Sequence, residues 1–137
     1  MSWRDTWRET VASFLREVRD PAATPDEADP VVSAIAAARG EVAAVERELA
    51  GVEARHGHEE QAAAMCERRR TMAERIGDTD TATVAERFRR RHAERAALLS
   101  RKAAVLRDEV ALARASLNDL LDYARAAHVT GPPGEAS

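Results

Sequence analysis

The chain has 137 residues, enough for one domain, and its 45% of hydrophobic residues includes 30 alanines but only five aromatic residues. A large globular core is therefore not expected. The net charge of -3 argues against a general nucleic-acid binder, and the single cysteine, Cys66, excludes an internal disulfide. No apolar run approaches the roughly 20 residues needed to span a bilayer, so the cytoplasm is the expected compartment.

Residues 1–20 predict a short amphipathic helix. Apolar side chains recur at helical spacing, and arginine, aspartate and glutamate fill the other face; the apolar positions are Trp3, Trp7, Val11, Phe14, Leu15 and Val18. A linker of proline and acidic residues, 21–29, separates this helix from the rest of the chain. The last segment, 129–137, contains Gly-Pro-Pro-Gly and is predicted to be a disordered tail.

The segment 30–128 predicts an all-α, long antiparallel coiled-coil hairpin. The first arm begins with Asp29 as the N-cap and Pro30 at the first helical position. Its apolar residues alternate in steps of four and three, at Val31, Ile35, Ala38, Val42, Val45, Leu49 and Val52. This spacing is typical of a helix packed along one partner helix. The stripe then passes His56, Glu59, Ala63 and Cys66, and a predicted stutter moves it to Met65, Met72 and Ile76.

The second arm carries the longest register in the chain. It runs through Ala85, Phe88, His92, Ala96, Leu99, Ala103, Leu106, Val110, Ala113, Leu117, Leu120 and Ala124. The tip lies near residues 77–80, where Gly77 suits a left-handed C-cap and either Asp78 or Asp80 can cap the next helix. Two arms of equal length, each about 70 Å long at 1.5 Å per residue, can pair from end to end. Pairing about residue 79 predicts that Val52 lies near Leu106, Val45 near Ala113 and Met72 near Ala85.

A second apolar stripe lies beside the predicted seam on the second arm, at Leu98, Val105, Leu112 and Leu121. One partner helix does not need so wide an apolar face, so a further surface is expected to cover it. Another copy of the chain would make these residues an oligomer interface. Alternatively, the N-terminal helix folds back onto Leu112, Leu121 and Tyr123, or it lies on a membrane surface with its aromatic residues among the acyl chains. Its acidic and basic residues balance, which favours packing.

The distal half of the hairpin is rich in arginine. Residues 66–95 hold nine arginines and six acidic residues, a net charge of +3. A patch for anionic ligands, either nucleic-acid phosphates or anionic lipid, is predicted at Arg68, Arg69, Arg70, Arg87, Arg89, Arg90 and Arg91. The simpler interpretation is a solvated face on which arginines pair with nearby glutamates. A further hypothesis places Asp78 and Asp80 at an acidic tip that enters a channel of the transcription machinery.

The sequence predicts no enzyme, no cofactor and no metal. It contains neither a glycine-rich phosphate loop nor a nucleophile elbow. His56, Glu59 and Glu60 have helical ligand spacing but lack further ligands, and we interpret His56 and Glu59 as a hydrated gap in the seam near Lys102. The grouping of Cys66, His92 and Met65 is interpreted as packing.

The layout resembles a known family. An amphipathic start "MSWRDTWRETV", an acidic linker ending at Asp29-Pro30 and a hairpin whose tip reads "RIGDTDTATVAERFRRRHAERAALLSRKAAVLRDEV" are similar to the phage shock protein A and Vipp1 family of bacterial ESCRT-III-like proteins. The segment Thr83-Val84-Ala85-Glu86 departs from the family's tip. The resemblance implies peripheral binding to the inner face of the membrane through Trp3, Trp7 and Phe14, with self-association along the hairpin. The alternative function is that of a nucleic-acid or transcription-machinery accessory.

Overall fold

The computed structural model describes residues 29–129, together with Glu9 and Ala12 of the N-terminal segment. Two long helices, α1 (Pro30–Arg75) and α2 (Thr79–Val129), follow each other in the chain. They pack against each other as a hairpin, which confirms the predicted all-α fold. The predictions for the remainder of segment 1–20, the linker up to residue 28 and residues 130–137 lie outside the described residues. None of the described helices has a stretch long and apolar enough to cross a membrane.

Both helix starts are capped by the aspartates that precede them. Oδ1 of Asp29 accepts the backbone N–H of Val31 at 3.1 Å, with Pro30 at the first helical position, as predicted. At the second start, Oδ1 of Asp78 accepts the backbone N–H of Thr81 at 3.1 Å, and Oδ2 accepts its hydroxyl at 2.6 Å. These bonds lower the pKa of Asp78, the hydroxyl bond contributing most. The sequence left two candidates for this cap, and the cap is Asp78.

The turn between the helices depends on Gly77. Its φ of 76° lies in the left-handed region, and the N–H of Asp78 reaches back to the carbonyl of Ala73 at 2.9 Å. This bond across five residues is the Schellman arrangement that ends many helices. A residue with a Cβ is strained at this φ, whereas glycine adopts it freely. The predicted tip is therefore confirmed.

We expect Gly77→Ala to lower the free energy of unfolding by about 1–2 kcal/mol, because alanine must adopt a left-handed conformation. Gly40→Ala is the matched control: Gly40 lies within α1, and a Cβ there would meet open space. That variant should gain about 0.5–1 kcal/mol from helix propensity. Urea denaturation followed by circular dichroism measures both. Equal effects of the two substitutions would contradict the assigned turn.

The chain divides into two compact units. The tip unit is Ala43–Ala111, and the base unit comprises Met1–Val42 with Leu112–Ser137. In the base unit, Ala38 and Leu120 are buried, with 2% and 1% of their surface exposed. The residues predicted to share their seam in this unit are half-buried, namely Val31, Ile35, Val42, Ala113, Leu117 and Ala124. The predicted register is thus confirmed in the base unit.

The tip unit is held together by an apolar cluster. It contains Val45 and Val52 from α1 with Ala103, Leu106 and Val110 from α2, and the half-buried Leu49 and Leu99 pack against it. The predicted proximity of Val52 and Leu106 agrees with this cluster. Val52 has no exposed surface and Leu106 has 3%. Because the remaining buried apolar residues of this unit are alanines, we infer that much of its hydrophobic stabilisation comes from this cluster.

The seam of the tip unit keeps one register, and the predicted stutter is wrong. Met65, Met72 and Ile76 are exposed, and so is Phe88, which the sequence placed in the seam. The strict alternation of four and three instead continues on α1 through His56, Glu59, Ala63, Cys66, Arg70 and Ala73. On α2 it runs through Ala82, Ala85, Arg89, His92, Ala96, Leu99, Ala103, Leu106 and Val110. All of these residues are buried or half-buried, so two arginines occupy positions that apolar residues were expected to fill.

Candidate interaction surfaces

The two seam arginines are neutralised by two glutamates from the positions beside the seam. Arg89 donates from Nε and Nη2 to both carboxylate oxygens of Glu86, at 2.7 and 2.8 Å. Arg70 donates to Glu67 on its own helix and lies 3.4 Å from Glu86 on the other. Arg89 lies 3.6 Å from Glu67, which completes the four-residue ion-pair cluster. The alkyl stems of the arginines can then occupy the seam while the charges pair at its edge.

The charges within this cluster shift the protonation of its members. The hydrogen bond from Arg89 is the main cause that lowers the pKa of Glu86 from its ordinary 4.5 to about 2. The hydrogen bond to Glu67 raises the pKa of Arg70, and that to Glu86 raises the pKa of Arg89. Glu86, Arg70 and Arg89 are therefore charged at neutral pH. The Nε of Arg70 is buried without a hydrogen-bond partner among the described residues, so the cluster is not fully satisfied.

The lowered pKa of Glu86 makes stability depend on pH in a defined range. Because the folded pKa of about 2 lies below the ordinary 4.5, the carboxylate stabilises the fold above pH 4.5. That contribution is lost progressively as the pH falls from 4.5 towards 2. In Glu86→Gln the thermal unfolding midpoint should be lower than that of the unmodified chain at neutral pH. The difference should shrink towards pH 2, and a constant difference would contradict this role.

Two histidines lie in the seam between the ion-pair cluster and the apolar cluster. The Nδ1 of His92 on α2 lies 2.6 Å from Oε2 of Glu59 on α1, and this hydrogen bond joins the two helices. His56 pairs instead with Glu60 at 3.3 Å, one turn away on α1. The sequence placed Glu59 near Lys102, but its partner is His92. A polar pair inside an otherwise apolar seam penalises other registers, because a shifted register would leave it without its partner.

The residues with helical ligand spacing have other partners in the structure. Glu59 bonds to His92, and Glu60 lies 3.3 Å from His56. Cys66 is half-buried in the seam, whereas Met65, which the sequence grouped with it, is exposed. Within residues 29–129 no group of three or more histidine, cysteine or acidic side chains could hold a metal ion.

The two sides of the hairpin differ in charge within the tip unit. One side carries the residues that directly follow seam positions, and there Glu53 of α1 accepts a hydrogen bond from Arg107 of α2 at 3.0 Å. Glu60, Glu67, Glu74 and Glu86 also follow seam positions. We call this the acidic side. An open groove of about 770 Å³ near the turn is lined by Arg70, Glu74, Glu86 and Arg90 among others. Its charges of both signs lie near one another.

The opposite side carries the residues that directly precede seam positions. Two residues of the predicted oligomer interface lie here in the tip unit: Leu98 and Val105 are 59% and 57% exposed. On α1 the nearby Gly51, which precedes the seam residue Val52, is small and exposed. In the base unit, Leu112 precedes the seam residue Ala113 and is 51% exposed, whereas Leu121 follows the seam residue Leu120 and is half-buried. The second stripe is therefore exposed at Leu98, Val105 and Leu112, and Leu121 does not share its kind of position.

The predicted anionic-ligand patch separates into two groups. Arg70, Arg89 and Arg90 form ion pairs with Glu67 or Glu86, as the simpler interpretation expected. The other four, Arg68, Arg69, Arg87 and Arg91, are exposed. Arg91 lies over the ring of Phe88, 5.6 Å from its centroid. At the acidic tip, Asp78 is occupied by capping, and Asp80 is exposed in the first turn of α2.

Comparison with protein-family models, with curated proteins and with solved structures finds no match. The resemblance to the phage shock protein A and Vipp1 family therefore stays a prediction from the layout. The predicted membrane- or partner-binding residues, Trp3, Trp7, Val11, Phe14, Leu15 and Val18, lie outside the described residues.

Proposed function

We propose that this protein is a non-enzymatic coiled-coil scaffold or adaptor that self-associates through its hairpin. The observation that carries the proposal is the exposure of Leu98 and Val105, seven residues apart on α2 and each more than half exposed. Exposed apolar residues that recur at heptad spacing are suited to packing against a further helix. The small Gly51 near Val105 leaves room for that helix to approach closely.

The charges beside this stripe suit contact between identical surfaces. On the same side, Arg55 of α1 lies near Lys102 of α2 in the register of the hairpin, and Glu48 lies one heptad before Arg55, so both signs are present. A two-fold axis places the same patch on both copies, and a patch of mixed charge can then complement itself. Burying the exposed parts of two such side chains on each copy yields only a few kcal/mol. Association costs about as much or more, so we expect a weak, concentration-dependent oligomer.

Sedimentation velocity over a range of concentrations tests self-association. The unmodified chain should gain mass as its concentration rises, and Leu98→Glu/Val105→Glu should stay monomeric. Ala97→Glu/Ala104→Glu is the matched control. Both alanines are exposed and directly precede Leu98 and Val105, but they follow seam positions and so lie on the other side of the hairpin. Circular dichroism confirms that each variant is folded. A chain that is monomeric throughout, or a control variant that is monomeric as well, would refute the proposal.

The membrane part of the proposal rests on the sequence of residues 1–20. Its aromatic residues could enter the acyl boundary of an anionic membrane while its arginines meet lipid phosphates. Co-sedimentation with phosphatidylglycerol vesicles, comparing the chain with a deletion of residues 1–20, tests it. Binding that survives the deletion would rule out attachment through this segment. The alternative of nucleic-acid binding has less support, because three of the seven patch arginines are engaged by glutamates.

A further inference from the structure

The register of the seam brings six exposed apolar residues of the tip unit to one side of the hairpin. On α1, Met65 and Met72 precede the seam residues Cys66 and Ala73. On α2, the other four directly precede seam positions, namely Val84, Phe88, Leu98 and Val105. Their exposed fractions run from 44% for Val84 to 65% for Met72. Four of them, all except Leu98 and Val105, define the tip face, which also includes Arg69, Arg91 and Arg95 at the same kind of position.

The bond between Glu53 and Arg107 fixes which residues share a side. Both residues directly follow seam positions, one on each helix, and their 3.0 Å contact shows that such residues meet on the acidic side. In an antiparallel pair, the residues that precede seam positions then share the opposite side, because one face of each helix is already against its partner. The tip face therefore combines residues of α1 and α2, although they are far apart in the sequence.

The tip face contains no carboxylate. From His58 to Arg75 on α1 and from Val84 to Lys102 on α2, the residues that precede seam positions are apolar, small or basic. The acidic residues of the same two segments lie elsewhere, at Glu59, Glu60, Glu67, Glu74, Glu86 and Glu94. One side of the tip unit thus offers an apolar surface whose charged residues are all basic. Of its arginines, Arg91 also borders the groove near the turn that Glu86 and Glu94 line.

We propose that the tip face binds an acidic amphipathic helix of a partner protein. Two helices side by side leave a groove between them, into which a third helix fits with its apolar stripe inward. Methionine suits such a surface, because its unbranched side chain adapts to different partners, and two of the three methionines of this chain lie here. Arginines along the groove would pair with glutamates that flank the apolar stripe of the incoming helix.

The two other possible occupants of the tip face are a second copy of the chain and a membrane surface. Charge argues against the first, and the lack of interfacial aromatic residues argues against the second. A second copy placed by a two-fold axis would bring Arg69, Arg91 and Arg95 against the same arginines, which repel each other. A membrane surface would suit the arginines, but the described tip unit contains no tryptophan or tyrosine to anchor at the interface. An acidic helix satisfies both the apolar and the basic groups. The partner bound here extends the proposed scaffold function, but the tip face itself does not require self-association.

Fluorescence anisotropy with a designed peptide tests the proposal on the full chain. The probe is a labelled, side-chain-stapled helix with leucines at coiled-coil spacing and glutamates flanking them, and its counterpart has lysines in place of the glutamates. The glutamate peptide should bind, with an affinity that falls as salt rises, and the lysine peptide should bind at least tenfold more weakly. Absence of binding by the glutamate peptide, or equal binding of both peptides, would overturn the proposal.

Two neighbouring arginines supply a matched pair of variants. Arg69 lies on the tip face, whereas Arg68 is exposed on the back of α1, so Arg69→Glu and Arg68→Glu change the net charge and the helix propensity equally. Arg69→Glu should weaken peptide binding about tenfold and Arg68→Glu much less. Met65→Ala/Met72→Ala should also weaken it about tenfold without loss of helicity, because both side chains are exposed. Equal effects of the two arginine variants would refute a bound helix on this face.

The same variants separate this proposal from its alternatives. In one outcome, phosphatidylglycerol vesicles bind the chain lacking residues 1–20, and this binding is lost in Arg69→Glu but kept in Arg68→Glu. The ligand of the tip face would then be a membrane, and the proposal would be overturned. If Arg69→Glu abolished self-association, the tip face would be a contact with a second copy of the chain, and the proposal would likewise be overturned. Leu98→Glu/Val105→Glu that is monomeric yet binds the peptide normally would support the tip face as an independent site. Failure of self-association alone leaves the expected peptide binding unchanged.

Discussion

Replacing Leu106 with alanine is expected to lower the free energy of unfolding by about 2–5 kcal/mol, because the change leaves a cavity in the apolar cluster of the tip unit. Leu106 is 3% exposed and packs with Val45, Val52, Ala103 and Val110. Few other large side chains of this unit are buried, so the neighbours cannot readily fill the space. Urea denaturation followed by circular dichroism measures the loss.

Met72→Ala is the informative control, because the register predicted from the sequence placed Met72 in the seam. Its side chain is 65% exposed, and we expect its removal to change the free energy of unfolding by less than about 0.5 kcal/mol. If Met72→Ala destabilised the chain as much as Leu106→Ala does, the seam would follow the stuttered register after all. The uninterrupted alternation through Arg70 and Ala73 would then be wrong.

The hairpin could be predicted from the sequence because its signals are local and agree with one another. Gly77 suits the left-handed end of a helix, the aspartates at positions 29 and 78 suit helix starts, and the spacing from Val31 to Val52 indicates a helix packed along one partner. The burial of Ala38 and Leu120 and the cluster around Val52 and Leu106 follow from that spacing. Local chemistry and the apolar period thus determined the fold together.

The distal seam could not be predicted in the same way, because apolarity is the wrong criterion there. Met65, Met72 and Phe88 are apolar but exposed, whereas Arg70 and Arg89 are charged but half-buried. An arginine can occupy a seam only when a carboxylate lies within reach, and that depends on the partner helix. The unbroken period of four and three was a usable signal: continued past Val52, it passes through Arg70 and Ala73 with no shift.

The residues exposed on each candidate surface depend on the heptad register of the seam. The stripe at Leu98, Val105 and Leu112 was predicted and is exposed, since it depends only on positions beside a correctly placed seam on α2. The sequence pattern does not reveal the tip face, because it places the methionines and Phe88 in the seam. Of the arginine patch, the members that are exposed and lie outside the ion pairs with Glu67 and Glu86 are Arg68, Arg69, Arg87 and Arg91. One misplaced segment of seam thus concealed an interaction surface.

Converting the whole ion-pair cluster to apolar residues is expected to stabilise the tip unit, although removing one member destabilises it. In Glu67→Ala/Arg70→Leu/Glu86→Ala/Arg89→Leu, two leucines would fill seam positions and no charge would remain to be desolvated. The midpoint of thermal unfolding should rise by about 5 °C or more. In Arg89→Ala alone it should fall, because Glu86 loses the guanidinium that donates two hydrogen bonds to it. Calorimetry compares the two variants.

The two variants are expected to shift the unfolding midpoint in opposite directions because they retain different charges. The single variant keeps two half-buried glutamates with Arg70 as the only seam arginine, while the exposed Arg90 still bonds to Glu86; the fourfold variant keeps none of the charged side chains of the cluster. If the fourfold variant were less stable than the unmodified chain, the cluster would be a net source of stability. The expected rise instead makes the cluster a device for specificity: charges that pair only in this register exclude shifted pairings of two alanine-rich arms. Loss of a single register in the fourfold variant would appear as a broadened unfolding transition despite its higher midpoint.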